Sequence, residues 1–590
     1  MFLVPLSLVI IVWLTARYTP YPQLVDFMES RPAVVISDRN GVEFDVRLSE
    51  RGTYRFARSL ETIPEHVIEA ALASEDQRFV WHPGIDPVSI LGRLYRVATA
   101  GTSSQPAYGG ATISMQLARM IRRSVASSPG RSSGVNTISL SDVWNAVRLR
   151  ARLEPQGLLE QYLNNIPFGY SIEGIEAASR FWFSRSTSEL GVRSSYLLMA
   201  IPRNPSRYTL QNTPERAVEA AIRSGRRVRL ELYHDALFSA VRAARKPNDR
   251  ATGTASVLLD NPEPSLGLAH FTNRVVVDAA DSFVRSTLDL GIQTLLVRAT
   301  EEALNEATGN RIQDASGIVV DNVSGEVRAY LGASPDRTAY GRSYIDAVRI
   351  ARSPGSTVKP FLFALAFERG YTPETRFEDE AIQFGSDEIY IPFNFNNQFN
   401  GTVTAAVALG SSLNVPAVSL YDQLGQDAFM RYMDDLGMSV FVQEMDRAGL
   451  GAVLGAARSS LEELAAAYAT LARGGISVPL SFTAVDEARR MEQAGRRVIA
   501  ESAARQIAEI LSSPEYRYLG FPADSFLHES TGVMLKTGTA SRFSDILAVA
   551  ANEQHTVAVW MGNLDGRTVI GQPGSSLPAR IALSTINGIP

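Results

Sequence analysis

The segment Ser356-Thr357-Val358-Lys359 strongly constrains this chain, because a Pro-Gly pair precedes it and a long apolar run follows it. A helix that begins at Gly355 would place the Ser hydroxyl and the Lys ammonium three positions apart, on one face and within mutual reach. A hydroxyl beside an amine that can take its proton is suited to covalent catalysis. The same residues could also be a Ser at a helix start with a solvated Lys one turn later. Other motifs must decide between these interpretations.

The totals limit the class of protein. A chain of 590 residues is too long for one core and favours two to four domains of about 150 residues each. The net charge of -5 gives no reason to expect a nucleic acid as partner. The absence of cysteine excludes disulfides, a thiol nucleophile and cysteine-ligated metals. The six His residues have no H-E-x-x-H spacing, which argues against a zinc protease of that type.

The amino terminus has the composition of a membrane segment. Residues 2–16 are almost entirely apolar, but a spanning helix usually has about 17–25 residues, so a signal peptide is an alternative. An uncleaved anchor is favoured because no A-x-A site follows and because Trp13, Tyr18 and Tyr21 lie where an aromatic belt would form. A buried core helix is a third interpretation. We assign residues 1–22 to a transmembrane anchor or signal segment, and the missing basic residues before the run suggest a start further upstream.

A cluster of acidic residues and a His follows the first helical pattern. Residues 64–74 have apolar residues on one helical stripe and lead into residues 75–86, where a Pro-Gly pair marks a turn. A carboxylate such as Glu75, beside the aromatic Phe79 and Trp81, would have a raised pKa and could act as a general base. Alternatively, the same residue types could form a purely structural cluster of capping interactions and salt bridges.

These residues resemble the first motif of the peptidoglycan glycosyltransferase domain, E-D-x-x-F-x-x-H-x-G-x-D. Residues 109–119 are similar to that family's G-G-S-T-I-T-x-Q-L-A-[KR], and residues 162–178 resemble its fourth, mainly structural motif. The resemblance implies that Glu75 deprotonates a sugar hydroxyl of a lipid-linked disaccharide, which attacks the growing chain and expels a polyprenyl diphosphate. It also implies a set of substrate-binding side chains: Asp76, His82, Arg93, Thr112, Gln116 and Arg119.

The third motif of that family, R-K-x-x-E-x-x-x-A-x-x-L-E, departs from the pattern. An alignment without gaps, counted back from residues 158–164, places this motif on residues 138–150. In the family the final Glu of the motif assists at the leaving diphosphate, and here that position is Arg150. The resemblance implies a divalent cation, Mg²⁺ or Mn²⁺, for this activity. Glu154 could substitute, because a four-residue shift nearly restores a helix face, although Pro155 would end or bend the helix. Alternatively, Arg150 neutralises the diphosphate directly, or the transferase is weakened.

The second half of the chain has the pattern of an α/β domain. Residues 286–293 resemble the start of a penicillin-binding transpeptidase module and open a helix that is predicted to reach about residue 307. Residues 317–321 and 325–331, joined across residues 322–325, have the form of a β-hairpin. Mixed charge and a loop cluster over residues 231–285 indicate a linker before it.

Two further motifs complete the set begun by Ser356 and Lys359. Ser412-Leu413-Asn414 matches S-x-N, and Lys536-Thr537-Gly538-Thr539 matches K-T-G-[TS] on a predicted strand. The three motifs in this order are the signature of serine acyltransferases that include penicillin-binding proteins and class A β-lactamases. The solvated-Lys interpretation is therefore the weaker one.

The resemblance gives each residue of this second site a role. Ser356 would attack the penultimate D-alanyl carbonyl of a stem peptide and release D-alanine, with Lys359 as proton acceptor and with no cofactor. Ser412 and Asn414 would relay protons and hold the substrate amide. The strand would pair with the extended peptide and meet its carboxylate through Lys536, Thr537, Gly538 and Thr539. β-Lactams would acylate the same Ser because they mimic that carbonyl.

We therefore predict a multidomain α and α/β protein of the class A, bifunctional penicillin-binding type. An N-terminal membrane helix precedes a mostly α, lysozyme-like glycosyltransferase domain at residues 30–230, a linker at 231–285 and an α/β serine transpeptidase domain at 286–590. Residues 112–119 and 547–566 are most similar to the penicillin-binding protein 1C subgroup. That subgroup commonly has a further C-terminal β domain, which we do not expect in the sequence that ends at Pro590.

The predicted function is a peptidoglycan synthase of the bacterial cytoplasmic membrane, single-pass, with its catalytic domains outside the cytoplasm. Its partners would be lipid-linked precursor, glycan chains, stem peptides, β-lactams as inhibitors and other cell-wall synthesis proteins, without nucleic acid. The alternative is a transpeptidase or D,D-carboxypeptidase whose impaired glycosyltransferase domain serves as a substrate-binding scaffold.

Overall fold

The protein consists of two compact units. The structure, a computed structural model, describes residues 3–91, 111–126, 139–202, 214–230, 237, 240, 267–277, 281–307, 311–334, 345–384, 391–484, 495–522, 525–528, 531–540, 543–569 and 576–590. One unit comprises Met1–Ser37, Val42–Pro262 and Ala279–Val284, and the other comprises Asp38–Gly41, Glu263–Asp278 and Arg285–Pro590.

The apolar N-terminal run forms the first helix, α1 (Leu3–Tyr18), of 16 residues. Within the residues that the structure describes, no helix has the combination of length and apolarity that crossing a membrane requires. The N-terminal part of the predicted membrane segment is therefore a helix of fewer than five turns.

The first unit is mostly helical, because its apolar residues recur at three- and four-residue spacings and so share one face of each helix. After α1, its helices are α2 (Pro22–Glu29), α3 (Glu65–Glu75), α4 (Ile113–Ala126), α5 (Leu140–Arg152), α6 (Pro155–Asn165), α7 (Ile175–Phe183), α8 (Val192–Leu198) and α9 (Pro214–Ser224). The short strands are β1 (Val34–Ser37), β2 (Glu43–Arg47), β3 (Tyr54–Arg55), β4 (Pro167–Gly169), β5 (Ile172–Glu173) and β6 (Phe283–Arg285). They form two small sheets, in the orders β2-β1-β6 and β3-β5-β4. One hydrophobic core, with Trp182 and Tyr162 fully buried, joins the helices.

The second unit is built on a five-stranded antiparallel sheet in the order β13-β14-β15-β7-β8. Its strands are β7 (Asp314–Asp321), β8 (Val327–Leu331), β13 (Met534–Thr539), β14 (Asp545–Ala551) and β15 (His555–Gly562). The hairpin predicted around residue 324 is confirmed, because β7 and β8 pair directly. β13 lies at one edge of the sheet, and in the described residues it pairs only with β14.

Helices cover this sheet and surround the Ser356 segment. The helices of this unit are α10 (Ala269–Val277), α11 (Leu290–Glu306), α12 (Lys359–Glu368), α13 (Ala405–Gly410), α14 (Asn414–Leu424), α15 (Gln426–Asp435), α16 (Ser439–Ala448), α17 (Leu461–Ala472), α18 (Glu501–Ser512) and α19 (Ser576–Gly588). Helices α11 and α19 pack against the sheet through a shared core, and α17 packs against β7 and β15. Two small strand pairs lie outside the main sheet: β9 (Arg376–Asp379) with β10 (Gly401–Thr404), and β11 (Ile476–Ser477) with β12 (Arg496–Arg497).

Candidate active sites

In the second unit, Ser356 lies in a tight turn that leads into a buried helix. Gly355–Val358 form a 3-10 turn, and α12 begins at Lys359 with Pro360 in its first turn, where the missing proline N–H costs nothing. The expected α-helix from Gly355 is therefore wrong in its first turn. Ser356 is half-buried and Lys359 is fully buried, so the amine is shielded from water.

The buried Lys359 is held by the S-x-N motif. Its Nζ donates to the carbonyl oxygens of Ser412 at 2.8 Å and Leu413 at 2.9 Å, and to Oδ1 of Asn414 at 2.7 Å. Burial lowers the pKa of Lys359 well below its usual value, and the nearby charge of Lys536 lowers it further. A buried lysine with a lowered pKa can accept a proton at neutral pH, as a catalytic base must.

A second buried lysine approaches the same motif from the sheet. The Nζ of Lys536 donates to the Ser412 hydroxyl at 2.8 Å and to the Thr537 carbonyl at 2.9 Å. Burial, followed by the charge of Arg517, lowers the pKa of Lys536 to about 7. Ser412 has the unusual φ of 60° and presents its carbonyl to Lys359 and its hydroxyl to Lys536. The three sequence motifs therefore meet at one residue, Ser412.

The turn that carries Ser356 is in backbone contact with edge strand β13. Gly355 has a φ of 54°, and a Cβ there would lie 2.5 Å from the backbone nitrogen of Thr539. A Cβ on Gly538 would lie 2.3 Å from the carbonyl oxygen of Pro354. Lys536, Thr537, Gly538 and Thr539 all lie on β13, so an extended peptide added to this edge would run past the Ser356 hydroxyl.

The close approach at Gly355 can be tested by adding one methyl group. We expect Gly355→Ala to destabilise the protein by about 2–4 kcal/mol and to slow acylation by a β-lactam by more than about tenfold, because the methyl would push β13 away from Ser356. Gly370→Ala is the matched control, since φ is 95° there but no atom lies within 4 Å of the added Cβ. Stopped-flow acylation and thermal unfolding measure both effects, and a normal acylation rate in Gly355→Ala would contradict the expectation.

Lys536 should impose an upper pH limit on acylation. The charged fraction of this lysine falls as the pH rises through its pKa of about 7. If the ammonium receives the substrate carboxylate, the second-order rate constant for acylation falls about tenfold per pH unit above that value. Lys359 would have the opposite effect, because its neutral amine is the form that accepts the Ser356 proton and loss of its charge would raise the rate. A fluorescent penicillin measured between about pH 6 and 9 tests this, and a flat profile would count against the role.

Sequence analysis did not identify the residues that hold Asn414 in place. The Nδ2 of Asn394 donates to both carboxylate oxygens of Asp379 at 2.8 Å, and its Oδ1 accepts from the backbone N–H of Asn414 at 2.8 Å. The Nδ2 of Asn414 donates to the carbonyl oxygen of Phe393 at 2.7 Å. The only signal in the sequence was the unusual density of Asn over residues 394–400.

A second group that was missed ties the segment before Ser356 to the sheet. Oδ1 of the buried Asp545 accepts from Arg352 at 3.1 Å and from Trp560 Nε1 at 2.9 Å. The guanidinium of Arg352 also lies 4.3 Å from the Trp560 ring centroid. Because Asp545 begins β14 and Trp560 lies on β15, the segment before Ser356 is held by two of the inner strands of the sheet.

In the first unit, Glu75 ends α3 and faces the second motif. The Nε2 of Gln116, on α4, donates to Oε2 of Glu75 at 2.9 Å, and the Tyr162 hydroxyl on α6 donates to Oε1 of Gln116 at 3.4 Å. Residues from three predicted motifs therefore form one series of hydrogen bonds that ends at the Glu75 carboxylate. Phe79 is buried, but Trp81 is 87% exposed, so the expected shielding of Glu75 by the Trp81 ring is wrong.

Asp76, His82 and Thr112 are buried and hold the loop around Glu75 together. Asp76 accepts from His82 Nε2 at 3.0 Å and from the backbone N–H of Ile113 at 3.0 Å. The backbone N–H of Gly84 donates to His82 Nδ1, so the imidazole proton lies on Nε2. The Thr112 hydroxyl donates to the carbonyl oxygen of Gly84 at 2.6 Å. The hydrogen bonds of these three side chains therefore stabilise the loop itself.

Of the two arginines predicted to bind substrate, Arg93 and Arg119, the structure describes only Arg119. Arg119 is half-buried on α4, and burial lowers its pKa, followed by the charge of Arg123. Arg93 and the glycines at 109 and 110 lie outside the described residues.

Helix α5 carries the third motif, and it ends before Glu154. The helix stops at Arg152, and Glu154 is the exposed N-cap residue of α6, followed by Pro155 at its start. The idea that Glu154 repeats the face of Arg150 on one helix is therefore wrong, because Pro155 begins a separate helix. Arg150 instead lies over the first motif, with its guanidinium carbon 5.3 Å from the Phe79 ring centroid.

The side chain at position 150 does not suit a divalent cation. Position 150 offers a guanidinium, which cannot coordinate a metal, and Glu75 is already bonded to Gln116. Among the residues that the structure describes, no group of three or more His, Asp or Glu side chains is arranged to hold a metal ion. Mg²⁺ and Mn²⁺ require several oxygen ligands. Position 150 therefore supplies no ligand for the cation that the resemblance implies.

Comparison with known proteins gives the same two domains. The transglycosylase family matches residues 44–229, and the penicillin binding protein transpeptidase domain matches residues 315–570. Penicillin-binding protein 1C of Escherichia coli is 28% identical over 99% of this chain and 71% of its own, and penicillin-binding protein 1F of Bacillus subtilis is 26% identical over 92% and 76%. The crystal structure of penicillin-binding protein 1A from Haemophilus influenzae shares the fold, with a TM-score of 0.54, 16% identity and coverage of 95% and 92%.

A transglycosylase domain followed by a Ser-Lys transpeptidase domain defines the bifunctional synthases of the cell wall. The chain belongs to this family, the class A penicillin-binding proteins. It is a peptidoglycan synthase with glycosyltransferase and serine-type transpeptidase activities, it acts on peptidoglycan substrates and it binds β-lactams. The predictions of family and activity are confirmed, and the alternative with an impaired transferase is not favoured.

Proposed function

We propose that Glu75 and Ser356 are the two reactive residues of this synthase, with the roles that follow. The contacts of Ser412 are the main support, because its carbonyl and hydroxyl oxygens join Lys359 and Lys536, two lysines from distant motifs, beside Ser356. A structural salt bridge or cap would not require two buried lysines with lowered pKa values at one serine.

In the transpeptidase site, Lys359 accepts the proton of the Ser356 hydroxyl while Oγ bonds to the penultimate D-alanyl carbonyl carbon. Backbone N–H groups of Ser356 and Thr539 stabilise the oxyanion. The bond to the terminal D-alanine then breaks, and the proton passes to its nitrogen through Lys359 and Ser412. The amine of a second stem peptide attacks the ester, forms the crosslink and frees the Ser356 hydroxyl. All proton acceptors and donors are side chains of this chain, so the reaction needs no cofactor.

In the glycosyltransferase site, Glu75 takes the proton of a sugar hydroxyl of the lipid-linked disaccharide. The resulting oxygen bonds to the anomeric carbon of the growing chain, and the bond from that carbon to the diphosphate oxygen breaks. Gln116 orients the carboxylate through its 2.9 Å hydrogen bond. The buried Asp76–His82 pair fixes the loop that follows Glu75, so these two residues position the base.

The place of action is the outer face of the bacterial cytoplasmic membrane, where the lipid-linked precursor is presented. The support is α1, which exposes Leu8, Val9, Ile11 and Leu14. Exposed apolar side chains of this kind favour lipid over water. Fractionation of cells that produce the chain with and without residues 1–22 tests the proposal, since loss of that segment should release the protein from the membrane pellet. Other cell-wall synthesis proteins are the partners to seek in that fraction.

One assay tests both activities together. Purified protein is incubated with labelled lipid-linked disaccharide pentapeptide, and glycan chains and crosslinked peptides are resolved separately. We expect both products, with penicillin removing only the crosslinks. Tetrapeptides without crosslinks would show that water resolves the acyl-enzyme. Absence of glycan chains, where a known transferase produces them, would contradict the proposed role of Glu75.

A further inference from the structure

We propose that Arg150 binds the departing diphosphate through its guanidinium and replaces the carboxylate and divalent cation of related transferases. The inference rests on the proposed glycosyltransferase site. A carboxylate and a divalent cation together carry one net positive charge, which is also the charge of one guanidinium. The planar guanidinium can donate two parallel hydrogen bonds to a phosphate, which a metal-free carboxylate would repel.

Helix α5 carries three arginines at alternate positions, and two of them have structural roles. Arg148 Nη2 donates to the carbonyl oxygens of Thr19, at 3.1 Å, and Pro20, and its guanidinium lies 4.3 Å from the Tyr21 ring centroid. Arg152, one turn later, donates to the carbonyl oxygens of Ala16 and Thr19. Both side chains therefore hold the carboxyl end of α1.

Arg150 lies between them in sequence but on another side of the helix, because two residues correspond to about 200° of rotation. Its side chain reaches the loop of the first motif instead of α1. There, Nε lies 3.5 Å from the His82 carbonyl oxygen and Nη2 lies 3.5 Å from the Val80 carbonyl oxygen. These distances are at the outer limit for hydrogen bonds, so the donors remain available to a stronger acceptor.

The charge of Arg150 is also not neutralised by a contact. In the described part of the chain, no carboxylate lies within 4 Å of its guanidinium, although the charges of Glu154 and Asp76 act on it from further away. Arg122 on α4, by contrast, pairs with Asp142 at 2.8 Å. The guanidinium is half-buried against the ring of Phe79, where water screens a charge less than in solution. A half-buried cation with spare donors, held by α5 against the loop that follows Glu75, is suited to bind an anion.

The backbone of the same loop fixes the distance between α5 and the first motif. Gly84 has a φ of 100°, and a Cβ there would lie 2.5 Å from the carbonyl oxygen of Ala146. Position 150 follows Ala146 by one helical turn on the same face. Arg150 is therefore placed against the loop by backbone packing, and not only by its own flexible side chain.

The test compares polymerisation of the lipid-linked disaccharide by the full chain with and without a metal chelator. We expect the unmodified protein to keep its rate, within about twofold, in the chelator. Arg150→Gln should lower that rate by about 100-fold, and Arg150→Lys by less. Arg150→Glu, which restores the acidic residue, should require added Mn²⁺ or Mg²⁺ for any recovery. Arg31→Gln, an equal charge change at a side chain that is 72% exposed, is the control and should have no effect.

Binding of farnesyl diphosphate in the chelator gives a readout that is independent of turnover. Calorimetry should show at least about tenfold weaker binding to Arg150→Gln than to the unmodified protein, and farnesol should bind both equally. Covalent labelling by penicillin checks that each variant is folded. A chelator-sensitive unmodified enzyme, or equal diphosphate binding by Arg150→Gln, would overturn the inference while leaving the glycosyltransferase intact. Absence of polymer in every condition would instead refute the function on which it rests.

Discussion

Replacing Ser356 by Ala is expected to abolish both covalent penicillin binding and the formation of crosslinked peptides. The hydroxyl is the only part of the side chain that is lost, and it is the atom that would carry the acyl group. Crosslinking should fall by more than about 1,000-fold, because Lys359 and Lys536 cannot act on the carbonyl without a nucleophile. Intact-protein mass spectrometry after exposure to penicillin measures the adduct directly.

The control for this variant is a serine of the same unit outside the site. Ser419→Ala, on α14, removes a hydroxyl that accepts a hydrogen bond from Gln423 at 3.2 Å, and it should retain the full adduct. Thermal unfolding should place Ser356→Ala within about 0.5 kcal/mol of the unmodified protein. A stoichiometric penicillin adduct on Ser356→Ala would mean that another residue is the nucleophile. Glycan chains should form at the normal rate in both variants.

Glu75→Gln should abolish glycan polymerisation and leave penicillin binding unchanged. The amide has nearly the shape of the carboxylate and can still accept from Gln116, but it cannot take a proton. Loss of a general base lowers the rate by about 100- to 10,000-fold. Electrophoresis of labelled glycan chains measures polymerisation, and the penicillin adduct measures the integrity of the second unit.

Glu69→Gln is the matched control for that change. Glu69 lies on the same helix α3 but is exposed, so its substitution removes an equal charge without touching the Gln116 contact. We expect normal polymerisation. If Glu75→Gln polymerised as fast as Glu69→Gln, a different group would have to be the base, and the alignment of the first motif with the catalytic residue would be wrong.

Much of the second unit could be predicted because its reactive residues lie in short motifs whose chemistry needs particular side chains. The hairpin of β7 and β8 and the strand that carries Lys536 also followed from short local runs of strand-forming residues. The start of α12 did not, because Pro360 and the contact of Gly355 with β13 produce a 3-10 turn where the pattern predicted an α-helix. The roles of Asp379 and Asp545 depend on partners 15 residues away and more, which no local pattern reveals.

The sequence by itself determined the class of enzyme, the order of its domains and the motifs that supply Glu75, Ser356, Lys359, Ser412 and Lys536. These follow from residue type and spacing, which the chain carries without being folded. Only the tertiary structure decided which side of α5 each arginine occupies and that Glu154 belongs to the next helix. It also decided that two buried lysines share one serine, with pKa values lowered by the surrounding protein. Burial and distance between remote segments set those properties, and both exist only after the chain has folded.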